Sequence, residues 1–495
     1  MNRSKLKASS VDLRDTKLYK ERLTSMKNHF FFRISGIPLF SILLAFTAVA
    51  REPNVIFILA DDMGYGELGC YGQKEIFTPQ LDRLAEEGMR FTHFFAGSTV
   101  CAPSRSVLMT GQHVGHTRVR GNSRENNYAG QTLSPDDFTV ADLMKMAGYE
   151  TALIGKWGLG DIDSAGTPDR LGFDHYFGYL NQTHAHNQFP SFLWRDGERV
   201  DLPNDIIPSD KAAGAGYSTN QLVWSNTLFF AEARNFIRKH SETPFFLYLA
   251  LVVPHANNER SEALEDGMEV PDYGRYVGQN WPDFQKGHAA MDTQLDREVG
   301  VLLDLLDALS LSEDTIVIFT SDNGPHQEGG PGYDPEFFDS NGPWTGIKRD
   351  LTDGGVRVPM IVRWPGRIQP GSVSNHIGYF GDILATLAEV TDIPAPTYDG
   401  LSLVPVMTGQ GMVKAHPYLY WEFYEGRVTQ AVLLEGRWKG LRFSAPDGPI
   451  ILFDQSVDPG ETTDCSADHP DIVARIAEIM KTAHVANENW KIEGL

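Results

Sequence analysis

Four apolar runs of strand length each end at a side chain able to do chemistry. "PNVIFILADD" closes on Asp61 and Asp62, and "TALIGKWGLG" passes through Lys156. "PFFLYLALVVPHAN" reaches His255, and "TIVIFTSDNG" ends in Asp322 and Asn323. Runs with no polar alternation suit strands buried on both faces, as in a parallel sheet covered by helices. Helical periodicities lie between them. In "TPQLDRLAEEG", Leu81, Leu84 and Ala85 share a face ahead of Gly88. In "AAMDTQLDREVGVLLDLLDAL", Met291, Leu295, Val299, Leu302 and Leu306 form one stripe. Strands alternating with helices predict an α/β fold: a large, mostly parallel, doubly wound sheet flanked by helices. Ligands of such sheets bind beyond the carboxyl ends of the strands, so four armed strand ends predict one shared site.

The pattern changes near residue 392, where "TDIPAPTYDG" forms a Pro-rich bridge. Beyond it, "YLYWEFY", "AVLLEGRWKGLRF" and "IILFD" read as short antiparallel strands, followed by a helix in "HPDIVARIAEIMKTAH". The expected organisation is a catalytic α/β domain over residues 51–395 and a small C-terminal α+β subdomain, built on an antiparallel sheet, over 396–495. At the other end, "ISGIPLFSILLAFTAVA" (residues 34–50) follows Lys27 and Arg33 and closes on Ala48-Val49-Ala50. A basic region, an apolar region and a small-x-small site predict a secretory signal peptide over residues 1–50. The run contains Pro38 and is short for a membrane span. Met26 makes the more ordinary start, which leaves residues 1–25 as a gene-model extension. The chain is therefore expected to be exported, periplasmic or secreted, with no stable membrane span.

Lys and Arg number 43 against 65 Asp and Glu, a net charge of −22 that argues against nucleic acid and against anionic membranes as partners. An anionic substrate would then need a local basic pocket or a bound cation. The three cysteines, Cys70, Cys101 and Cys465, make no disulfide framework and no CxxC pair. A Cys70–Cys465 bridge is conceivable, but nothing in the sequence selects it.

Asp61, Asp62 and Asp322, gathered with Asn323 at one edge, would repel one another unless a cation neutralised them. Hard oxygen donors without histidine favour Ca²⁺, and secondarily Mg²⁺, over zinc. Equally, "DD" and "SDNG" are ordinary turn and capping residues. Cys101 stands in "VCAPSRSVLMTG", where Pro103 and Ser104 look like a helix start. The positive helix end, with Arg105 one turn on, predicts a pocket for an anion. The plain alternative for a lone cysteine is a small buried hydrophobe.

"CAPSR" resembles the C-x-P-S-R signature of type I sulfatases in the alkaline phosphatase superfamily. The likeness runs from about residue 52 to 465, through "PNVIFILADDMGYGELGCYG", "TPQLDRLAEEGMRFTHFFAGSTVCAPSRSVLMTG", "GKWGLG", "VVPHAN", "IVIFTSDNGPH", "TGIKRDLTDGGVRVPMIVRWPG" and "LFDQSVDPGET". The resemblance implies that a maturation enzyme oxidises Cys101 to formylglycine, whose hydrate offers one hydroxyl to Ca²⁺ and another to sulfur. It makes Asp61, Asp62, Asp322 and Asn323 metal ligands together with residue 101. Arg105 would steady the hydrate and carboxylates, Lys156 and Lys348 would hold sulfate oxygens, and His255 would protonate the departing alcohol. Lys348 and His255 have bland readings too, as a surface lysine and a satisfied loop histidine. Two departures stand out. Gly158 replaces the histidine of the family's G-K-W-H-L-G, for which His184 in "NQTHAHNQFP" is the expected substitute, and Asp353 stands where the family often has Glu. Arg118 and Arg120 in "GHTRVRGN", with "HAHN", suit a sulfated carbohydrate, although these arginines could equally pair with the chain's own carboxylates. Phosphonate and phosphodiester hydrolases of the superfamily share the nucleophile, and an unmodified homologue would only bind sugar, so both remain alternative readings.

Overall fold

The computed structural model describes residues 52–122, 131–425, 428–443 and 446–492. The expected signal segment lies outside them. Among the described residues no helix is long and apolar enough to cross a membrane.

Ten strands make the main sheet. In chain order they are β1 (Asn54–Asp61), β2 (Met89–Phe91), β3 (Glu150–Lys156), β4 (His175–Tyr179) and β5 (Phe192–Arg195). There follow β6 (Glu198–Asp201), β7 (Phe245–Pro254), β8 (Thr315–Ser321), β9 (Met360–Arg363) and β10 (Ser372–Ser374). They lie side by side as β10-β2-β9-β8-β1-β7-β3-β4-β5-β6. The centre, β8-β1-β7-β3-β4, is parallel throughout, whereas β9 and β5 run antiparallel to their neighbours. The sheet is thus mixed, with a parallel core. The antiparallel strands fall toward the two sides, where no apolar run announced them.

The unbroken apolar runs form because both faces of these strands are covered. Every residue of β1 is buried. Val55, Phe57 and Leu59 face one core, with Val107 and Leu384 of covering helices. Ile56, Ile58 and Ala60 face the other, with Leu81, Phe229 and Leu295. Alternate residues of one strand therefore feed two separate cores, the period-2 rule applied to a doubly covered sheet. The predicted helices are present as Pro79–Glu87 and Asp283–Ala308, and the latter is 26 residues long.

The C-terminal runs form a separate antiparallel sheet of β11 (Tyr418–Phe423), β12 (Thr429–Leu434), β13 (Trp438–Phe443) and β14 (Ile450–Asp454). Ile472, Ile476 and Met480 of helix Pro470–Thr482 pack on it. Trp421 ties this sheet to the main body, its indole donating to the Ala96 carbonyl at 3.0 Å. Asp353 serves the same junction, accepting from Lys439 at 2.9 Å and from Arg357 at 3.0 Å. Cys70, Cys101 and Cys465 are all free thiols, so the conceivable Cys70–Cys465 bridge is not formed.

Candidate active site

The four armed strand ends converge. Asp61 closes β1 and Lys156 closes β3, while His255 follows β7 and Asp322 follows β8 directly. These are the adjacent strands β8-β1-β7-β3, so pairing alone brings their carboxyl ends to one place. Asp62 adopts the left-handed conformation, φ 67°, which Asp tolerates better than most residues. Its backbone N–H donates to Asp322 Oδ1 at 3.1 Å, tying the two loops together.

Helix Cys101–Thr110 begins at the cysteine itself, two residues earlier than Pro103 suggests. The Cys101 thiol lies 3.3 Å from Asp61 Oδ1. One turn on, the guanidinium of Arg105 meets Asp322 Oδ2 through Nε at 3.0 Å and through a terminal nitrogen at 2.8 Å. It also donates to the Lys156 carbonyl at 2.7 Å and lies 3.5 Å from Asp61 Oδ2. A planar fork with several donors is what two carboxylates and a carbonyl require. Lys156 Nζ reaches Asp61 Oδ2 at 2.6 Å. Lys348 Nζ donates to Asp62 Oδ2 at 2.8 Å, His255 Nε2 at 3.1 Å and Glu328 Oε2 at 2.9 Å. His255 Nδ1 lies 2.6 Å from the Ala256 carbonyl. A carbonyl only accepts, so Nδ1 carries the proton and Nε2 presents its lone pair to Lys348.

Burial sets the electrostatics. It opposes ionisation of Asp61, yet Lys156, His255, Arg105 and Lys348 hold that carboxyl well below the usual range. Burial, then Asp61, pushes the Cys101 thiol well above its ordinary value, so an unconverted cysteine here is no thiolate. Burial, then the Lys348 cation, lowers His255 to about 3. Burial works against the Lys348 ammonium, but Asp62 and Glu328 keep it charged.

A divalent cation fits this donor set. Asp61, Asp62, Asp322 and Asn323 are all fully buried, and Asn323 Oδ1 has no hydrogen-bond partner. Asn323 Nδ2 is already committed, to Asp62 Oδ1 at 2.7 Å and the Gly324 carbonyl at 2.9 Å. An orphaned, buried carbonyl oxygen beside three carboxylates is a donor set that suits a hard divalent cation. The carboxylates of Asp61, Asp62, Asp322 and Glu328 are matched in number by Arg105, Lys156, Lys348 and Arg349, which pairs with Glu328 at 2.7 Å. A divalent ion added to that balance makes the site net cationic, suited to an anionic ester.

One expectation meets a different outcome, and one pair of open readings is decided. His184 is not brought to the cluster: its ring packs on Tyr179 at 4.9 Å and Phe192 at 4.5 Å, fully buried. The neighbouring His186 is the one that reaches the site, stacked on His255 at 5.0 Å and bonded to Glu259 at 3.1 Å. Arg118 pairs with Asp137 at 2.6 Å, and Arg120 with Glu422 at 3.1 Å. Both arginines therefore neutralise the chain's own carboxylates. Sequence reasoning missed Glu328 and Asn122, whose Oδ1 accepts from the Ala102 N–H at the start of the helix at 3.2 Å. Glu328 lies five residues past Asn323 in "SDNGPHQE", and that proximity was the available signal.

The comparisons agree with this geometry. A family model described as Sulfatase matches residues 53–393, and one described as N-sulphoglucosamine sulphohydrolase, C-terminal, matches 344–486. The N-acetylgalactosamine-6-sulfatase of Canis lupus familiaris is 34% identical over 413 residues, covering 79% of this chain and 71% of that protein. Human arylsulfatase A is 31% identical, covering 85% of each. A solved sulfatase from Bacteroides thetaiotaomicron, described in work on its metabolism of multiple glycosaminoglycans, superposes with a TM-score of 0.70 at 26% identity, covering 88% of this chain and 99% of that one. The phosphonate monoester hydrolase of Agrobacterium radiobacter shares the fold at 20% identity and a TM-score of 0.60, covering 87% of this chain and 95% of that one. With a family model spanning the whole main sheet and a four-strand edge furnished with buried carboxylates, cations and a cysteine at a helix start, the chain belongs to the sulfatase family and is a hydrolase of sulfate esters.

Proposed function

We propose that the protein removes sulfate from a monoester of a sulfated carbohydrate, using a formylglycine made from Cys101 by a maturation enzyme and a divalent cation, Ca²⁺ in preference to Mg²⁺. The observation that carries this reading is the Cys101 thiol, 3.3 Å from Asp61 at the helix start, with Arg105, Lys156 and Lys348 around the same carboxylates. Asp61, Asp62, Asp322 and Asn323 would hold the cation with residue 101. A bound cation would favour ionisation of a neighbouring hydroxyl and would screen charge on the sulfuryl oxygens.

The chain's own side chains do the rest. Arg105, anchored on the Lys156 carbonyl, pins Asp322 and Asp61 at fixed separation, so carboxylate repulsion does not spread the site. Lys156 and Lys348 are desolvated cations positioned for sulfate oxygens, where fixed charge is worth far more than in water. The proton for the departing alcohol is held between Lys348 Nζ and His255 Nε2, 3.1 Å apart, and the Ala256 carbonyl keeps the imidazole turned toward that partner. His186, stacked on the same ring, limits its rotation. The carbohydrate assignment is supported by relatives named as N-acetylgalactosamine-6-sulfatases, and export by the segment "ISGIPLFSILLAFTAVA".

Mass spectrometry of the peptide containing residue 101, from protein made in its native host, tests the reading together with sulfate release before and after chelation. Expected are an aldehyde at residue 101, sulfate release from a sulfated sugar, and loss of that release on chelation. Unconverted thiol in fully active protein would overturn the mechanism. A phosphodiester hydrolysed faster than any sulfate ester would overturn the substrate assignment.

A further inference from the structure

Gly158 has no side chain, and the space beside it is taken by another residue. A Cβ built at Gly158 would lie 2.3 Å from Nε2 of Gln182. That amide nitrogen is buried and has no hydrogen-bond partner, and Gln182 as a whole is 8% exposed. A buried amide donor without an acceptor is unfavourable, which makes this nitrogen a place for a ligand oxygen.

Its position relates it to the site. The chain continues past Lys156 alongside the continuation of β4: the Trp157 N–H donates to the Tyr179 carbonyl at 2.9 Å, and the Gly158 N–H to the Leu180 carbonyl at 3.0 Å. Gly158 and Gln182 therefore sit beyond the same sheet edge as Lys156, two residues further along the chain. A cavity of about 10 Å³ is lined there by Gly158, Gly160, Asp161, Asn181 and Gln182, among others. That is room for a single oxygen.

We propose that this cavity binds a hydroxyl group of the sulfated substrate. Gln182 Nε2 donates to the hydroxyl oxygen, and the Asp161 carboxylate accepts the hydroxyl proton. Asp161 already receives Asn181 Nδ2 at 2.9 Å and the Ile162 N–H at 2.7 Å. An ionised carboxylate offers about four acceptor positions, so capacity remains. The same negative charge excludes a sulfate oxygen from the cavity, which makes the occupant a neutral hydroxyl. In the free protein a water fits the space, and a sugar hydroxyl displaces it while reproducing its hydrogen bonds. The inference rests on the sulfatase reading and narrows its substrate to polyhydroxylated esters.

The test compares N-acetylgalactosamine 6-sulfate, its monodeoxy analogues, and 4-nitrophenyl sulfate, which has no hydroxyl. Gln182→Ala removes the donor, and Gly158→Ala, which also adds backbone strain at φ +75°, pushes it aside; the ratio of the two substrates cancels any general loss of activity. Each is expected to lower the ratio of kcat/KM on the sugar to kcat/KM on the aryl ester about tenfold or more, the value of one well-placed polar contact. One deoxy analogue should show the same loss with the unsubstituted enzyme and no further loss with Gln182→Ala. An unchanged ratio, or deoxy effects that persist undiminished in Gln182→Ala, overturns the subsite. An enzyme active on the aryl ester and on no sulfated sugar overturns the subsite alone. Inactivity on both overturns the sulfatase chemistry and takes the subsite with it. Should Gln182→Ala not fold, Gly158→Ala and the deoxy series on the unsubstituted enzyme still decide.

Discussion

Glu67, five residues past Asp62, belongs to a second ionic cluster with no solvent contact, and that cluster predicts how stability depends on pH. His288, Glu67 and Asp292 are all fully buried. His288 Nε2 is 3.0 Å from Glu67 Oε1 and 3.4 Å from Asp292 Oδ2, and Nδ1 is 2.8 Å from the Tyr333 hydroxyl. Burial opposes a charged imidazole, but Glu67 and Asp292 outweigh it and raise His288 to about 9. Relative to an ordinary histidine near 6.5, that is roughly 2.5 pKa units at 1.36 kcal/mol each, or about 3 kcal/mol. A raised histidine pKa stabilises fully below the unfolded value and loses that contribution as pH climbs from about 6.5 to about 9. The perturbation is His288→Gln, which keeps a polar side chain and removes the titration. Urea unfolding of both proteins at about pH 6 and about pH 9.5 is the assay. Between those pH values the unsubstituted protein should lose about 3 kcal/mol more stability than the variant, read from midpoints and slopes. Asp296 and Glu269, both near 7, titrate in both proteins and drop out of the difference, whereas Asp292, which burial pushes well above the usual carboxyl range and the His288 cation pulls back, titrates with His288, so the difference reads the His288–Glu67–Asp292 cluster as one unit. Stability curves that run parallel over this range would show that His288 does not hold its proton against the two carboxylates, and the reasoning fails.

Two contrasts test the packing and the charge assignments elsewhere. Gly155→Ala in β3 would set a Cβ 1.8 Å from the Ala250 carbonyl of β7, at φ +111°, whereas Gly72 has similar φ, +114°, and open space. The first is expected to yield no folded protein, while Gly72→Ala should cost only about 1–2 kcal/mol of local strain in thermal unfolding. If both proteins fold with similar stability, the close approach of β3 and β7 is wrong. Arg120→Ala should cost about 3–5 kcal/mol, because it strands the buried Glu422, and Arg118→Ala under about 1 kcal/mol, because its pair with Asp137 is 41% exposed on the arginine side. Equal costs in chemical denaturation would remove Arg120 from its role as the strut between the signature region and the C-terminal sheet.

What the sequence discloses and what it hides separate along physical lines. A strand buried on both faces must be largely apolar along its length, so β1, β3, β7 and β8 are visible as runs, and Asp61, Lys156, His255 and Asp322 are visible as the charged or imidazole side chains that end them. Parallel pairing then places those ends together, and no knowledge of side-chain contacts is needed. The antiparallel strands β5 and β9, like the flanking β6 and β10, are short, at three or four residues, and carry no such stretch, so the mixed character of the sheet is not legible. His184 shows the limit for single residues. In "HAHN" two histidines stand two apart within a single short 3₁₀ turn, and nothing local says which one points into the apolar layer and which one stacks on His255. Arg118 and Arg120 mislead for a related reason: with Asp and Glu outnumbering Lys and Arg 65 to 43, a given arginine is more easily taken up by an internal carboxylate than left for a ligand. Gln182 is hidden most deeply. Its place beside Gly158 depends on a Cβ that is missing on one strand extension and an amide supplied by the next, 24 residues later. The sequence marks the gap, as a glycine in a motif otherwise complete, but only the pairing of two extensions past Lys156 identifies what fills it.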